Sequence, residues 1–225
     1  MNNAAAPDAR RTIDEYYNSL FDALGPQHWW PGETAFEVIV GAILTQSTSW
    51  TGVERAINNL GAERLLTPGA MERVALDRLA KLIRSSGYFR QKAKKLKAFV
   101  EFLREDFGGS LVRMFRTPAA ELRKRLLCVH GIGPETADSI LLYAGGQAVF
   151  VADAYTKRIL LRHGWIGEKA GYNEVRGFFE NHMAHDAKRF NEYHALIVEA
   201  GKRWCRPREP LCGECPLGRF LEEGR

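Results

Sequence analysis

Two glycines, a proline and a later aspartate form a pattern that could bind an anion and supply a reactive carboxylate. Gly131, Ile132 and Gly133 stand directly before Pro134. Glycine permits positive φ and close approach of another backbone, and proline suits the first turn of a helix. The free N–H groups at such a helix start bind anions. Because the net charge is +5, a DNA phosphate is the natural anion; a tight helix–helix turn without a ligand is the alternative.

The aspartate is Asp153, which lies among apolar neighbours about one helix after the glycines. It directly precedes AYTKRILLRHGW, a segment with amphipathic helical spacing. Aspartate is a favoured N-cap residue, so capping is its ordinary role. A glycine hairpin, an apolar helix and then an apolar-flanked aspartate nevertheless form a larger pattern than capping requires.

Helical spacing dominates the sequence on both sides of these residues. Most of the chain places apolar residues at i, i+3 and i+4, as in FEVIVGAILTQ, KAKKLKAFVEFLREDFG and RFNEYHALIVEAGKRWC, which predicts amphipathic helices. No convincing alternating strand occurs, and AVFVA is too short to decide. The predicted fold class is all-α, and 225 residues suffice for one large domain or two small lobes.

Composition excludes some classes of protein. Hydrophobic residues make up 45% and charged residues 26% of the chain, which is ordinary for a soluble globular protein. No apolar run is long enough to span a membrane, so no membrane partner is expected. The N-terminal segment lacks the apolar core of a signal peptide, which favours a cytoplasmic location. The four cysteines should then be thiols or metal ligands.

The segments VHGIGPETADSIL and FVADAYTKRI resemble the helix-hairpin-helix (HhH-GPD) DNA glycosylases of the endonuclease III superfamily. The resemblance extends from AFEVIVGAILTQSTSW to the C-terminal cysteines. It implies two helical lobes: residues 31–144 as a six-helix bundle that ends in the hairpin, and residues 1–30 with 145–225 as the second lobe. The active site should then lie in the cleft between them. The implied partner is double-stranded DNA carrying a damaged base, and we expect a monomer.

In that superfamily the catalytic residue is the aspartate, here Asp153. The damaged base is flipped out of the duplex, and a carboxylate can stabilise the oxocarbenium-like sugar and orient or deprotonate the attacking water. Bifunctional members carry a lysine at the second position after the second hairpin glycine. This chain has Glu135 there, and a carboxylate cannot form a Schiff base. The resemblance therefore implies a monofunctional enzyme, although Lys157 is a conceivable substitute.

The tryptophans bear on the identity of the base. Trp29, Trp30 and Pro31 precede the first core helix, and Trp50 follows it. Core packing is their ordinary role, but a cationic alkylated purine also stacks well on indole. WWP, ILTQ and GIGxETAD resemble the endonuclease III-type 3-methyladenine glycosylases. Alternatives are a monofunctional mismatch, uracil or adenine glycosylase, and a non-catalytic helix-hairpin-helix DNA-binding module.

Several residues are implied to contact DNA. Gln46 matches the family glutamine that fills the gap left by the base, and Tyr88 matches the residue that is wedged between bases. The alternative interpretations are an exposed polar side chain for Gln46 and a buried aromatic for Tyr88. Lys92 heads a lysine-rich stretch that could touch phosphates. The hairpin set comprises Gly131, Ile132, Gly133 and Thr136. By analogy, the backbone carbonyls of Leu127, Val129 and Ile132 would bind a monovalent cation.

The C-terminal cysteines form part of the family's [4Fe–4S] pattern. Cys205, Cys212 and Cys215 have the family spacing, but the fourth position is Leu221, and leucine cannot ligate iron. Three explanations remain: a cluster with an unusual fourth ligand, a Cys₃His zinc site, or no metal.

Overall fold

The computed structural model describes residues 8–29 and 32–221. The regular structure of these residues is helical, and they contain no β-strand, which confirms the all-α prediction. The α-helices, in chain order, are α1 (Ala9–Leu24), α2 (Ala35–Leu44), α3 (Trp50–Ala62), α4 (Pro68–Arg73), α5 (Leu76–Leu82), α6 (Phe89–Phe107), α7 (Leu111–Phe115), α8 (Ala119–Leu127), α9 (Pro134–Ser139), α10 (Ala154–Arg162), α11 (Tyr172–His182) and α12 (Ala187–Arg203). A π-helical turn, Ile140–Ala144, continues α9, and 3-10 turns cover Arg84–Ser86 and Gly218–Phe220.

These residues pack into two compact units. One contains residues 32–147 and therefore α2–α9. The other contains residues 8–29 and 148–221, and therefore α1 with α10–α12. The hairpin belongs to the first unit and Asp153 to the second.

Helix α2 forms the centre of the unit that contains α2–α9. Its sequence AFEVIVGAIL is apolar on every side, and eight of its residues are buried, from Phe36 through Leu44 apart from Glu37. A helix that is apolar all round belongs in a core. It begins at the N-cap Thr34, whose side chain accepts a hydrogen bond from the Glu37 amide at 3.1 Å. The buried face of α6 includes Leu96, Phe99 and Leu103.

An aromatic cluster forms the core of the other unit. The rings of Phe150 and Phe179 stack with centroids 4.0 Å apart, and Tyr193 meets both edge-on. The Tyr193 hydroxyl donates to the Ile13 carbonyl at 3.0 Å. Phe150 belongs to the ambiguous segment AVFVA, which is not a strand in the structure. It is a buried linker that leads the chain into Asp153 and α10.

Within the described part of the chain, no helix has both the length and the apolar character needed to span a membrane.

Candidate functional site

The glycine hairpin connects α8 to α9. Gly131 has φ +82°, a conformation that favours glycine, and a Cβ at this position would overlap the methylenes of Lys95. Gly133 has φ −92°, and a Cβ added to it would have no neighbouring atom within 4 Å. Backbone conformation therefore requires glycine only at position 131. Pro134 is the first residue of α9, as the sequence predicts.

An ion pair clamps the two helices of the hairpin together. The Arg123 guanidinium on α8 donates through Nε to Asp138 Oδ1 at 2.6 Å and through a terminal nitrogen to Oδ2 at 3.1 Å. The Asp138 side chain is fully buried, and that of Arg123 is 16% exposed. A two-point contact of this kind adds geometric specificity to the attraction between the charges. It therefore holds α8 and α9 in a defined orientation relative to each other.

Gln46 is tied to the same hairpin. Its side-chain amide donates to the Gly131 carbonyl at 3.1 Å and to Thr136 Oγ1 at 2.9 Å, and its amide oxygen accepts from Lys95 Nζ. The predicted DNA-binding residues Gln46, Gly131 and Thr136 therefore lie together. A role for Gln46 in filling the gap left by a flipped base stays a prediction.

Tyr88 and Lys92 lie in very different environments. Tyr88 is 68% exposed and has φ +44° at the start of α6, so its ring is accessible as a wedge requires. Lys92 is only 2% exposed, and its Nζ donates to the carbonyls of Leu44 at 2.8 Å and Ser86 at 2.5 Å. Burial, with a smaller effect of Lys95, lowers the pKa of Lys92 to about 8. The buried ammonium group is hydrogen-bonded to these two carbonyls, which argues against the predicted contact of Lys92 with a phosphate.

Asp153 caps α10 and keeps part of its side chain accessible to solvent. Its Oδ1 accepts from the Thr156 amide at 2.8 Å and from the Thr156 hydroxyl at 2.9 Å, so the predicted N-cap is confirmed. Its Oδ2 lies 3.7 Å from Nε2 of His194, and the Asp153 side chain retains 14% exposure. One oxygen therefore fixes the carboxylate, while the other remains for a ligand or a proton.

Trp29 lies beside the same histidine. Its ring meets His194 edge-on with centroids 6.2 Å apart, and Lys202 Nζ lies 5.5 Å from the centroid of its ring. Trp30 and Pro31 lie outside the described residues. Trp50 is the first residue of α3, in the other unit. A shared base pocket for these residues stays a prediction.

The remaining hairpin and lysine predictions have these positions. Glu135 is exposed in the first turn of α9. The Nζ atom of Lys157 donates a hydrogen bond to the Ala170 carbonyl at 2.7 Å. The amine considered as a substitute nucleophile is therefore hydrogen-bonded within the protein. The Val129 carbonyl accepts from the Ile132 amide at 3.1 Å, and a carbonyl has a second lone pair that could face a cation. Leu127 ends α8. The cation site itself stays a prediction.

The three C-terminal cysteines surround one small cavity. Cys205, Cys212 and Cys215 line it together with His163 and Leu221. The cavity encloses about 20 Å³, which is room for one water-sized species. As arranged in residues 8–29 and 32–221, no group of three or more thiol, imidazole or carboxylate side chains has the geometry to hold a metal ion. A [4Fe–4S] cluster held by four thiolates therefore does not fit these residues, since leucine stands where the fourth thiolate would be.

Two arginines of α10 anchor the cysteine loop. Arg162 donates to Cys205 Sγ at 3.1 Å, and Arg158 donates to the Cys205 carbonyl at 2.6 Å. The Nδ1 atom of His163 lies 2.6 Å from the Tyr16 hydroxyl, which uses one of its two ring nitrogens. The two arginine contacts hold the cysteine loop against α10.

We expect the purified protein to contain far less than one [4Fe–4S] cluster per chain. The reason is that leucine stands at position 221, where the fourth thiolate would be. Elemental analysis and the visible spectrum of anaerobically purified protein measure this directly, with a Leu221→Cys variant as the matched control that restores a fourth thiolate. Four irons and sulfides per chain in the unaltered protein would contradict the expectation.

Comparison with known proteins gives one consistent family. Residues 40–184 match the sequence profile described as HhH-GPD superfamily base excision DNA repair protein. The chain is 49% identical over 210 residues to a Methanocaldococcus jannaschii protein whose provisional name is DNA repair glycosylase, covering 92% of this chain and 94% of that protein. It is 29% identical over 187 residues to endonuclease III of Thermotoga maritima, covering 83% and 82%.

Solved structures agree in fold. The crystal structure of H. pylori 3-methyladenine DNA glycosylase (MagIII) bound to 1,N6-ethenoadenine has a TM-score of 0.75 and 28% identity, over 87% of this chain and 98% of that chain. A non-covalent endonuclease III–DNA complex has a TM-score of 0.80 at 21% identity, over 96% of each chain; this second likeness concerns the fold alone.

Sequence reasoning missed two residues of these sites. His194 lies 41 positions after Asp153, and nothing in HALIVEAG indicates which residue its imidazole meets. Lys95 belongs to the lysine-rich stretch that begins at Lys92, and its helical spacing gives no sign that its Nζ donates to the amide oxygen of Gln46. The signal for Lys92 did exist, because Lys92, Leu96, Phe99 and Leu103 follow helical spacing and share one face.

Proposed function

Because the chain belongs to the HhH-GPD superfamily of base excision DNA repair proteins, we propose that it is a monofunctional DNA glycosylase for alkylated purines of the 3-methyladenine type. It hydrolyses the N-glycosidic bond of a flipped-out base and leaves an abasic site. The observation that carries the substrate class is the similarity to a 3-methyladenine DNA glycosylase at 28% identity over 98% of that chain.

Trp29 supports the same substrate class. An alkylated purine is electron-poor or cationic, and a cation is attracted to the face of an indole ring. Lys202 Nζ lies 5.5 Å from the Trp29 ring centroid, a distance at which an indole ring attracts a cation. We propose that Trp29, with Trp30, Pro31 and Trp50, lines the base pocket.

Asp153 supplies the chemistry in this proposal. As the base leaves, positive charge develops on the sugar, and a nearby carboxylate stabilises it. The same carboxylate orients a water molecule and accepts its proton as the new C–O bond forms. Oδ2 is the oxygen for these tasks, because Oδ1 already accepts two hydrogen bonds from Thr156.

The other unit supplies the grip on duplex DNA. We propose that the hairpin backbone at Gly131–Gly133 contacts a phosphate, with a monovalent cation on the carbonyls of Leu127, Val129 and Ile132. Exposed Tyr88 enters the base stack and replaces lost stacking while the duplex bends. Gln46 lies beside the hairpin and fills the gap left by the base. The working form in this proposal is a monomer.

Water, not lysine, is the nucleophile in this proposal. We expect borohydride to trap no covalent complex between the protein and duplex DNA that contains an abasic site. Glu135 occupies the lyase lysine position, and Lys157 is engaged by the Ala170 carbonyl. Gel electrophoresis after reduction measures the adduct, with a bifunctional glycosylase as positive control and Glu135→Gln as matched variant. A trapped adduct of the unaltered protein would show that it is bifunctional.

A panel of duplex oligonucleotides separates the proposal from its alternatives. Each duplex carries one lesion: 1,N6-ethenoadenine, uracil, a G·T mismatch, or adenine opposite 8-oxoguanine. Alkaline cleavage at the resulting abasic site reports excision. We expect cleavage of the alkylated purine above all others. Preferred excision of uracil, thymine or adenine would favour the mismatch, uracil or adenine enzymes, and binding without excision of any base would favour a DNA-binding module.

A further inference from the structure

A buried histidine of α12 lies against the proposed catalytic carboxylate. His194 is 5% exposed, and its Nε2 lies 3.7 Å from Asp153 Oδ2. Both residues belong to the same compact unit, and α10, which Asp153 caps, packs directly on α12. This position is therefore set by the core of one unit.

The two oxygens of Asp153 have different surroundings. Oδ1 is held by the amide and the hydroxyl of Thr156 at 2.8 and 2.9 Å. Oδ2 has no part in the cap and lies on the side of His194. The hydrogen bonds from Thr156 to Oδ1 limit rotation of the carboxylate about its Cβ–Cγ bond. A second contact, at Oδ2, would fix the plane of the carboxylate.

We propose that His194 is a positioning residue for Asp153, whose imidazole N–H on Nε2 holds Oδ2 in the orientation needed for base release. This inference rests on the proposed function of Asp153. The present separation exceeds a hydrogen bond, and catalytic hydrogen bonds commonly tighten only when substrate binds. A shift of about 0.5 Å brings the two atoms into bonding range.

The imidazole is suited to this role as a neutral donor. Burial lowers the pKa of His194, and the negative charge of Asp153 only partly offsets that effect. A neutral imidazole donates one N–H without bringing a cation to the carboxylate. The negative charge of Asp153 is therefore preserved for the developing positive charge on the sugar, which a protonated histidine or a lysine at this position would diminish.

Trp29 also packs against the imidazole of His194. It meets His194 edge-on at a centroid separation of 6.2 Å, a favourable geometry for aromatic rings. His194 thus contacts both the carboxylate proposed to act on the sugar and a ring proposed to stack on the base.

The test compares two substitutions of His194 by single-turnover excision and by DNA affinity. His194→Leu removes the donor, and we expect it to slow excision roughly 10- to 100-fold with unchanged Kd for lesion DNA. His194→Gln retains a neutral N–H, and we expect it to remain within about threefold of the unaltered protein, because the donor is restored. Tyr193→Phe is the matched control: it removes the neighbouring buried hydrogen bond to Ile13 and should lower Tm but not the rate.

Two outcomes would overturn the inference. One is excision by His194→Leu at the rate of the unaltered protein; the other is an equal loss in His194→Leu and His194→Gln, which would assign the effect to packing. Failure of the unaltered protein to excise any base would instead overturn the proposed function.

A measurement that needs no activity tests the contact itself. In ¹⁵N NMR spectra of the intact protein, we expect the Nε2 resonance of His194 to shift in Asp153→Asn. The resonance of His163, which is bonded to Tyr16, should stay in place and serves as the internal reference. Identical His194 resonances in the two proteins would contradict the contact and with it the positioning role, whatever the enzyme's substrate.

Discussion

Replacing Asp153 with asparagine should slow single-turnover base release by roughly 10²- to 10⁴-fold, the range associated with a positioned general base. Asparagine has nearly the same shape but lacks the negative charge and cannot accept the proton of water. The measurement is the excision rate from lesion-bearing duplex under enzyme excess. DNA affinity should change little, because Asp153 contributes no positive charge toward phosphates.

The same substitution separates catalysis from folding. Asparagine is about as good an N-cap as aspartate, so the cap on α10 and the Tm should be nearly retained. Asp186→Asn is the matched control, since Asp186 caps α12 by accepting from the amides of Lys188 and Arg189 at 2.8 and 3.1 Å. It should keep full activity. Equal activity of Asp153→Asn and Asp186→Asn would remove Asp153 from the mechanism.

Replacing Asp138 with alanine has the largest expected effect on stability. The change leaves the guanidinium of Arg123 mostly buried, at 16% exposure, without the carboxylate that it contacts at two points. Breaking a buried ion pair from one side costs about 3–5 kcal/mol of unfolding free energy. For a chain of this size that corresponds to a fall in Tm on the order of 10 °C. Chemical denaturation and calorimetry measure the two quantities.

An exposed pair of the same chemistry provides the control. A terminal nitrogen of Arg125 lies 2.7 Å from Asp106 Oδ2, and the two side chains are 35% and 36% exposed. Asp106→Ala should therefore lower the free energy of unfolding by less than about 1 kcal/mol. The double variant Arg123→Met, Asp138→Leu should recover much of the stability lost in Asp138→Ala, because it removes both charges together. A Tm of Asp138→Ala within error of Asp106→Ala would show that the hairpin clamp contributes no stability.

The periodic parts of the fold could be predicted from the sequence. Helical spacing predicted an all-α chain, Pro134 predicted the start of α9, and Asp153 predicted the cap of α10. These features depend on neighbours within a few residues, and local sequence carries that information. The same is true of Gly131, whose positive φ is a property of its own backbone.

Contacts between distant segments could not be predicted in the same way. Gln46 bonds to Gly131 across 85 positions, and His194 meets Asp153 through the packing of two helices. Lys92 shows the opposite error: its lysine neighbours suggested a basic surface, whereas its position one helical turn before Leu96 places it on the buried face. There it donates to carbonyls left free at the end of α2 and near Gly87.

Release of free 3-methyladenine from methylated duplex DNA is the most direct test of the proposed activity. The unaltered protein is incubated with the DNA, and the freed bases are separated by chromatography while abasic sites and strand breaks are counted on the same sample. We expect free 3-methyladenine with a matching number of abasic sites and no strand breaks before alkali. No free alkylated base at enzyme concentrations that saturate the DNA would contradict it.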